Sequence, residues 1–206
     1  MAAYGRPSLR DLFDEAPTPH IAHPPRTHHR DFYLATDGSY RETGGGLGVV
    51  IETRDGESVA RLAVPHDAPD NNTAEYRALE LGLSVLANRT PPDARVGLLI
   101  DHDELAANVN AELLATQDRR FSTYTPVSVP QTTERHWQDI CTQLPEFGEI
   151  RAARIASTHN PAHPLANTPE EYAHLNAAAD RCVLPETPTT PKMVPPPSRA
   201  NRHASD

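Results

Sequence analysis

The chain has 206 residues, enough for one ordinary domain with tails, and 28 Asp and Glu outnumber 19 Lys and Arg for a formal charge of −9. That balance excludes a protein that holds nucleic acid on a broad basic face, though not one that relies on bridging cations and a few placed arginines. No apolar run approaches the ~20 residues of a membrane span, and Cys141 and Cys182 make neither a zinc motif nor a disulfide framework.

The N-terminal MAAYGRPSLRDLF lacks the apolar core of a signal peptide, so the expectation is a soluble, cytoplasmic protein. Lys192 is the sole lysine, and the acid is concentrated in 31–183. A lysine-poor, acid-rich and alanine-rich chain is what a high-salt cytoplasm or a GC-rich genome produces. Residues 1–30 are rich in Pro and His and read as a disordered extension. Within them Ser8 with Asp11 can cap one helical turn, and Leu9, Leu12 and Phe13 could form a short partner-binding peptide. Asp31–Thr36 reads as a buried strand. Gly44–Gly48 punctuates, and Val49–Thr53 is β-branched and strand-like. Asp55-Gly56 signals a hairpin into a third strand, Ser58–Val64.

Residues 73–88 carry Leu79, Leu83 and Leu86 on one stripe, with Ala74, Ala78, Leu81 and Val85 beside it, as in a helix packed on a sheet. Pro91-Pro92 ends it. Val96–Ile100 is a short apolar strand buried on both faces. Helices follow at Glu104–Leu114 and Thr132–Leu144, the latter with Trp137 and Ile140, separated by an irregular stretch at 115–131. Ile150–Ala156 is the last strand, and a final helix is expected over roughly 169–183. Residues 184–206 read as a disordered Pro-rich tail. The order β-β-β-α-β-α-α-β-α predicts an α/β domain over 31–183. Tight turns make the first three strands antiparallel, and crossovers add the last two in parallel.

Four carboxylates sit at element ends in this layout: Asp37 after the first strand, Glu75 in the first turn of the long helix, Asp101 after the fourth strand, and Asp180 on the last helix. Each has a bland reading alone. Asp37-Gly38 is a plain turn, Asn72 with Glu75 is a capping box, Asp101 is a helix N-cap, and Asp180 is a solvated acid. Together they are harder to dismiss, because neighbouring first and fourth strands would set Asp37 beside Asp101 at one sheet edge, where open α/β sheets bind ligands.

Taken with Asp37-Gly38-Ser39, Gly44-Gly45-Gly46-Leu47-Gly48, Asn71-Asn72-Thr73-Ala74-Glu75, Asp101-His102 and Asn176-Ala-Ala-Ala-Asp180, the sequence resembles type 1 ribonuclease H over about three quarters of its length. The resemblance implies a ribonuclease H-like fold with a mixed five-stranded sheet. It implies an endoribonuclease that hydrolyses the RNA strand of RNA–DNA hybrids, leaving 5′-phosphate and 3′-hydroxyl ends. It assigns Asp37, Glu75, Asp101 and Asp180 to two divalent cations, Mg²⁺ or Mn²⁺, whose hard character suits oxygen ligands. Gly38, Ser39, Asn71 and Asn72 would touch the hybrid's minor groove. A histidine before the last acid would assist turnover, with His159, His163 and His174 as candidates and His159 preferred because it directly follows the last strand. A monomer is expected.

The sequence departs from the family pattern where His102 replaces the serine after the third acid. A basic Trp-bearing handle is also absent, and Arg119, Arg120, Phe121 and Tyr124 stand in that region instead. Two other readings stay open: a non-catalytic relative that binds nucleic acid or a partner, and a nuclease for double-stranded RNA or a DNA junction.

Overall fold

The structure, a computed structural model, describes residues 6–42, 44–117 and 126–172. Five strands form the sheet: β1 (Phe32–Ser39), β2 (Gly45–Thr53), β3 (Ser58–His66), β4 (Arg95–Ile100) and β5 (Glu149–Arg154). They lie in the order β3-β2-β1-β4-β5, with β1, β2 and β3 antiparallel and β4 and β5 added in parallel, as expected. Among the described residues no helix is long and apolar enough to cross a membrane.

Alternation along the strands divides the core in two. Leu34, Val49, Ile51, Leu62, Val96, Leu98 and Ile100 face one side. There they meet α2 (Asn71–Ala87), α3 (Asp103–Gln117) and α4 (Glu134–Gln143), through Leu79, Leu83, Leu86, Leu105, Val109 and Ile140. Tyr33, Ala35, Val50, Ala63, Leu99 and Ala153 face the other side. That face is covered by α1 (Leu9–Glu15) and by the short α5 (His163–Asn167).

Helix α1 corrects the expected disorder of the N-terminal extension from residue 6 onward. The Ser8–Asp11 capping box forms as the sequence suggests. Leu9 and Phe13 are 0% and 1% exposed and pack against the chain's own sheet. The physical reason is a stripe at i, i+4 and i+7 (Leu9, Phe13, Ala16) that a Pro- and His-rich composition hides. A notch in β4 receives it: a Cβ on Gly97 would lie 3.0 Å from Phe13 Cδ2 and 2.9 Å from Tyr33 Cδ1. Beyond α1 the Pro17 carbonyl accepts from the Arg154 N–H (2.8 Å), covering part of the β5 edge.

At the other end, the expected helix over 169–183 meets a 3₁₀ turn at Pro169–Glu171, and its remainder lies outside the described residues. Helix α5 was not expected. Arg119, Arg120, Phe121, Tyr124, His174, Asp180 and the 184–206 tail also lie outside the described residues.

Candidate active site

Strand register creates the site. Thr36 of β1 pairs with Ile100 of β4 in parallel, so Asp37 and Asp101 occupy the next rung at the carboxyl ends of neighbouring strands. Asp37 is 2% exposed. Glu75 reaches the pair from the start of the second turn of α2, five residues past the Asp70 N-cap, and is 6% exposed. The close approach depends on Gly38, because a Cβ there would meet Ala74 C at 2.1 Å and Glu75 N at 2.3 Å. With no side chain in the way, the Gly38 N–H donates to Glu75 Oε2 at 3.1 Å.

Two of the bland readings fail here. The N-cap of α2 is Asp70, whose Oδ1 accepts from the Thr73 N–H at 2.7 Å, so Glu75 is not half of a capping box with Asn72. Asp101 does not cap α3 either. That role falls to His102, whose Nδ1 accepts from the Leu105 N–H at 3.2 Å. Both acids are therefore free of structural duty at their helix termini.

Their electrostatics are strained. Burial, then the charges of Asp101 and Asp37, hold Glu75 well above the usual carboxylate range, against the pull of the Gly38 N–H. Burial, then the Asp37 carboxylate, pushes Asp101 up to about 7, with a Ser157 hydrogen bond acting the other way. Asp37 Oδ2 and Asp101 Oδ1 are both buried without a hydrogen-bond donor. Buried acids crowded together with raised pKa values of this kind mark candidate functional sites.

Histidine placement differs from the sequence expectation. His159 is exposed in a turn whose N–H donates to the Ala156 carbonyl (2.8 Å). His163 stands at the acids instead, its Nδ1 3.2 Å from Asp37 Oδ2. Asp37, Asp101 and His163 each offer a ligand atom, all within 4.8 Å of one another. Asn160 redirects the chain to make this possible: its Nδ2 donates to the Thr36 carbonyl (2.8 Å) and its Oδ1 accepts from the Ala162 N–H (3.0 Å). Glycine then lets α5 lie close, since a Cβ on Gly48 would meet Ala162 O at 2.2 Å.

Sequence reasoning missed Asn160 and the capping role of His102. The first leaves only a weak signal, an Asn-Pro step after the last strand. The second was visible as an oddity, a histidine where a serine belongs. Among the four residues assigned to the minor groove, Gly38 spends its N–H on Glu75, and the buried Ser39 Oγ lies 3.4 Å from Asn167 Oδ1. Asn71 is exposed, and Asn72 is half-buried against His102 with Oδ1 3.0 Å from Nε2. Asp180 lies outside the described residues.

No family model matches the sequence, and no curated protein does. Solved structures do resemble the chain. RNase H1 from the halophilic archaeon Halobacterium salinarum NRC-1 superposes with a TM-score of 0.52 at 22% identity, covering 69% of this chain and 98% of that one. LC11-RNase H1, isolated from compost by a metagenomic approach and solved in complex with an RNA/DNA hybrid, gives 0.50 at 22% identity over 73% and 97%. The PFV RNase H domain gives 0.51 at 19% identity over 70% and 96%. At these identities the likeness is one of fold.

Proposed function

From a ribonuclease H-like fold that gathers buried acids at one sheet edge, we propose that the protein is an endoribonuclease acting on the RNA strand of RNA–DNA hybrids. The observation that carries the reading is the meeting of Asp37, Glu75 and Asp101, distant in sequence, around oxygens that lack donors. The hybrid held by the similar LC11-RNase H1 supports the substrate class.

The residues fit divalent cations. Three carboxylates supply hard oxygen ligands, two buried oxygens have no donor to satisfy them, and mutual repulsion leaves the group short of positive charge. Asp37, Glu75 and Asp101, with Asp180 as a fourth ligand, would hold two ions, Mg²⁺ or Mn²⁺. When bound, such ions lower the pKa of an attacking water and neutralise charge building on the phosphodiester, which leaves 5′-phosphate and 3′-hydroxyl ends.

The chain's own groups do the rest. Burial of Asp37 and Glu75 excludes water from their oxygens and keeps their field strong. The Gly38 N–H fixes one oxygen of Glu75 and leaves the other to turn inward. His163 Nδ1 can hold or release a proton beside Asp37 Oδ2, which places it to help the product leave. Asn71 and Asn72, on the first turn of α2 and one turn before Glu75, would meet the minor groove and its 2′-hydroxyls.

The test is a gel of labelled hybrid with Mg²⁺, Mn²⁺ or EDTA, run beside duplex DNA, duplex RNA and a DNA junction. Cation-dependent cutting of the RNA strand of the hybrid is expected, with the duplex DNA intact. No cutting of the hybrid with either ion would end the proposal and favour a non-catalytic relative. Cutting confined to duplex RNA or the junction would keep the chemistry and change the substrate.

A further inference from the structure

We propose that His102 is a positioning residue that turns the Asn72 carboxamide so that its NH₂ end, not its oxygen, meets the substrate. The inference rests on the hybrid-nuclease reading above and deepens it. Two hydrogen bonds on one imidazole carry it. The Leu105 backbone N–H, which can only donate, lies 3.2 Å from Nδ1. Nδ1 must therefore be the bare nitrogen, and a neutral ring then carries its proton on Nε2. Nε2 lies 3.0 Å from Asn72 Oδ1, so that proton has an acceptor. A flipped amide would set N–H against N–H. The backbone donor of α3 thus dictates the ring tautomer, and the tautomer dictates the amide.

The ring is held in place. Tyr76 packs edge-on against it with centroids 6.2 Å apart and planes at 77°. The Tyr76 hydroxyl accepts in turn from Asn108 Nδ2 at 3.2 Å. His102 directly follows Asp101, and Asn72 lies one helical turn before Glu75, so the imidazole ties α2, which carries Glu75, to the junction of β4 and α3, which carries Asp101.

The consequence is a rule for what Asn72 reads. With Oδ1 turned toward His102, the side chain presents its NH₂ donors to the groove. It suits acceptors on the groove side of a hybrid: the 2′-oxygen of a ribose, O2 of a pyrimidine or N3 of a purine. Those acceptors recur at every base pair, so the contact tolerates sequence. A serine at 102 could cap α3 as well but is too short to bridge to Asn72, and the amide would be free to rotate.

Three measurements on the full-length chain test this. In the wild type without substrate, ¹⁵N NMR of His102 should show a bare Nδ1 and a protonated Nε2; a proton on Nδ1 would overturn the inference. In steady-state hybrid cleavage, His102→Ser should keep the helix cap and raise KM about fivefold, the loss of one hydrogen bond, with kcat within about twofold. In an Asn72→Ala background, the same change should add nothing. An equal effect in both backgrounds, or a fall in kcat with KM unmoved, would overturn the inference. His102→Asn, another good cap, repeats the test should His102→Ser fold poorly. A wild type that cuts no hybrid would overturn the nuclease reading and this inference with it. An Nδ1–H ring or an additive cycle in an active enzyme would remove this inference alone.

Discussion

The two ends of the same parallel strands treat their acids in opposite ways. Where β1, β4 and β5 begin, acid is matched with guanidinium. Asp31 takes Arg95 in a bidentate grip at 2.9 and 3.2 Å. Glu149 Oε2 lies 2.6 Å from Arg30 Nη1, and Oε1 lies 3.1 Å from Arg151 Nε. The Arg95 hydrogen bonds hold Asp31 below the usual carboxylate range. At Glu149 the cost of burial is outweighed by the bond and charge of Arg30, then Arg151. Where β1 and β4 end, Asp37, Glu75 and Asp101 crowd together, and Glu75 and Asp101 shift upward. Paired acids fasten strand ends. Acids crowded together with no guanidinium among them are costly in the free protein and call for a ligand to offset that cost.

The sharpest way to break this contrast is Asp37→Asn. It should lower hybrid cleavage about 1,000-fold or more, since it removes a charged ligand of the proposed cations. Metal-free thermal stability should hold or rise, because one member of a repulsive group has been neutralised. Full activity in this variant, measured against wild type at saturating Mn²⁺, would show that the acid cluster is not the catalytic centre.

Next in size is Gly38→Ala. The added methyl collides with the backbone at Ala74 and Glu75, so α2 must move off β1. Displacing Glu75 by about an ångström should cost on the order of 100-fold in kcat. Circular dichroism should show an intact fold. Unchanged kcat would mean that the seating of Glu75 does not matter.

Why the acids could be found from sequence, and other features could not, has a physical basis. Asp37, Glu75 and Asp101 stand near element ends, Asp37 two residues before β1 stops, Glu75 five residues into α2 and Asp101 just after β4, and element ends follow from local periodicity. The adjacency of β1 and β4 then follows from connection rules. His163 is a different case. Its place depends on the path after β5, which turns on a side-chain bond from Asn160 to a strand 124 residues away in sequence. Position along the chain favoured His159, whereas the tertiary bond brings His163 beside Asp37. Helix α1 was obscured in a similar way: Leu9 and Phe13 become core residues only because Gly97 leaves a hollow in a distant strand. His102 was legible as a departure, but its capping bond and its reach to Asn72 required three elements to be in place.

Glu149→Gln probes the matched end. Arg30 is 3% exposed and would lose its charged partner, so stability should fall by about 1.5–3 kcal/mol, the range for a hydrogen bond to a charged group. Glu149 opens β5 and the acids lie at the opposite, carboxyl-end side of β1 and β4, so hybrid cleavage should stay within about twofold of wild type. A variant that kept its stability but lost activity would reverse the assignment of the two ends.

The smallest effect, a few degrees in melting temperature, separates the ends in a single experiment. Asp101 has a folded pKa of about 7, above its ordinary value of 3.8. Its contribution to stability is present in full below that ordinary value and is lost as the pH rises through about 7. Glu75 acts in the same direction. Asp31 and Glu149 are shifted down, so their contribution is present above their ordinary values of 3.8 and 4.5 and is lost as the pH falls through the lowered ones. In EDTA, melting temperature should therefore fall on both sides of a weakly acidic maximum. Added Mg²⁺ or Mn²⁺ should lift the neutral side, where the cluster is ionised and able to bind, and leave the acid side where it was. A cation effect of equal size at every pH would place its binding elsewhere. A curve in EDTA that stays flat from pH 5 to pH 8 would mean that the two acids ionise without strain, and the contrast between the two ends would lose its energetic meaning.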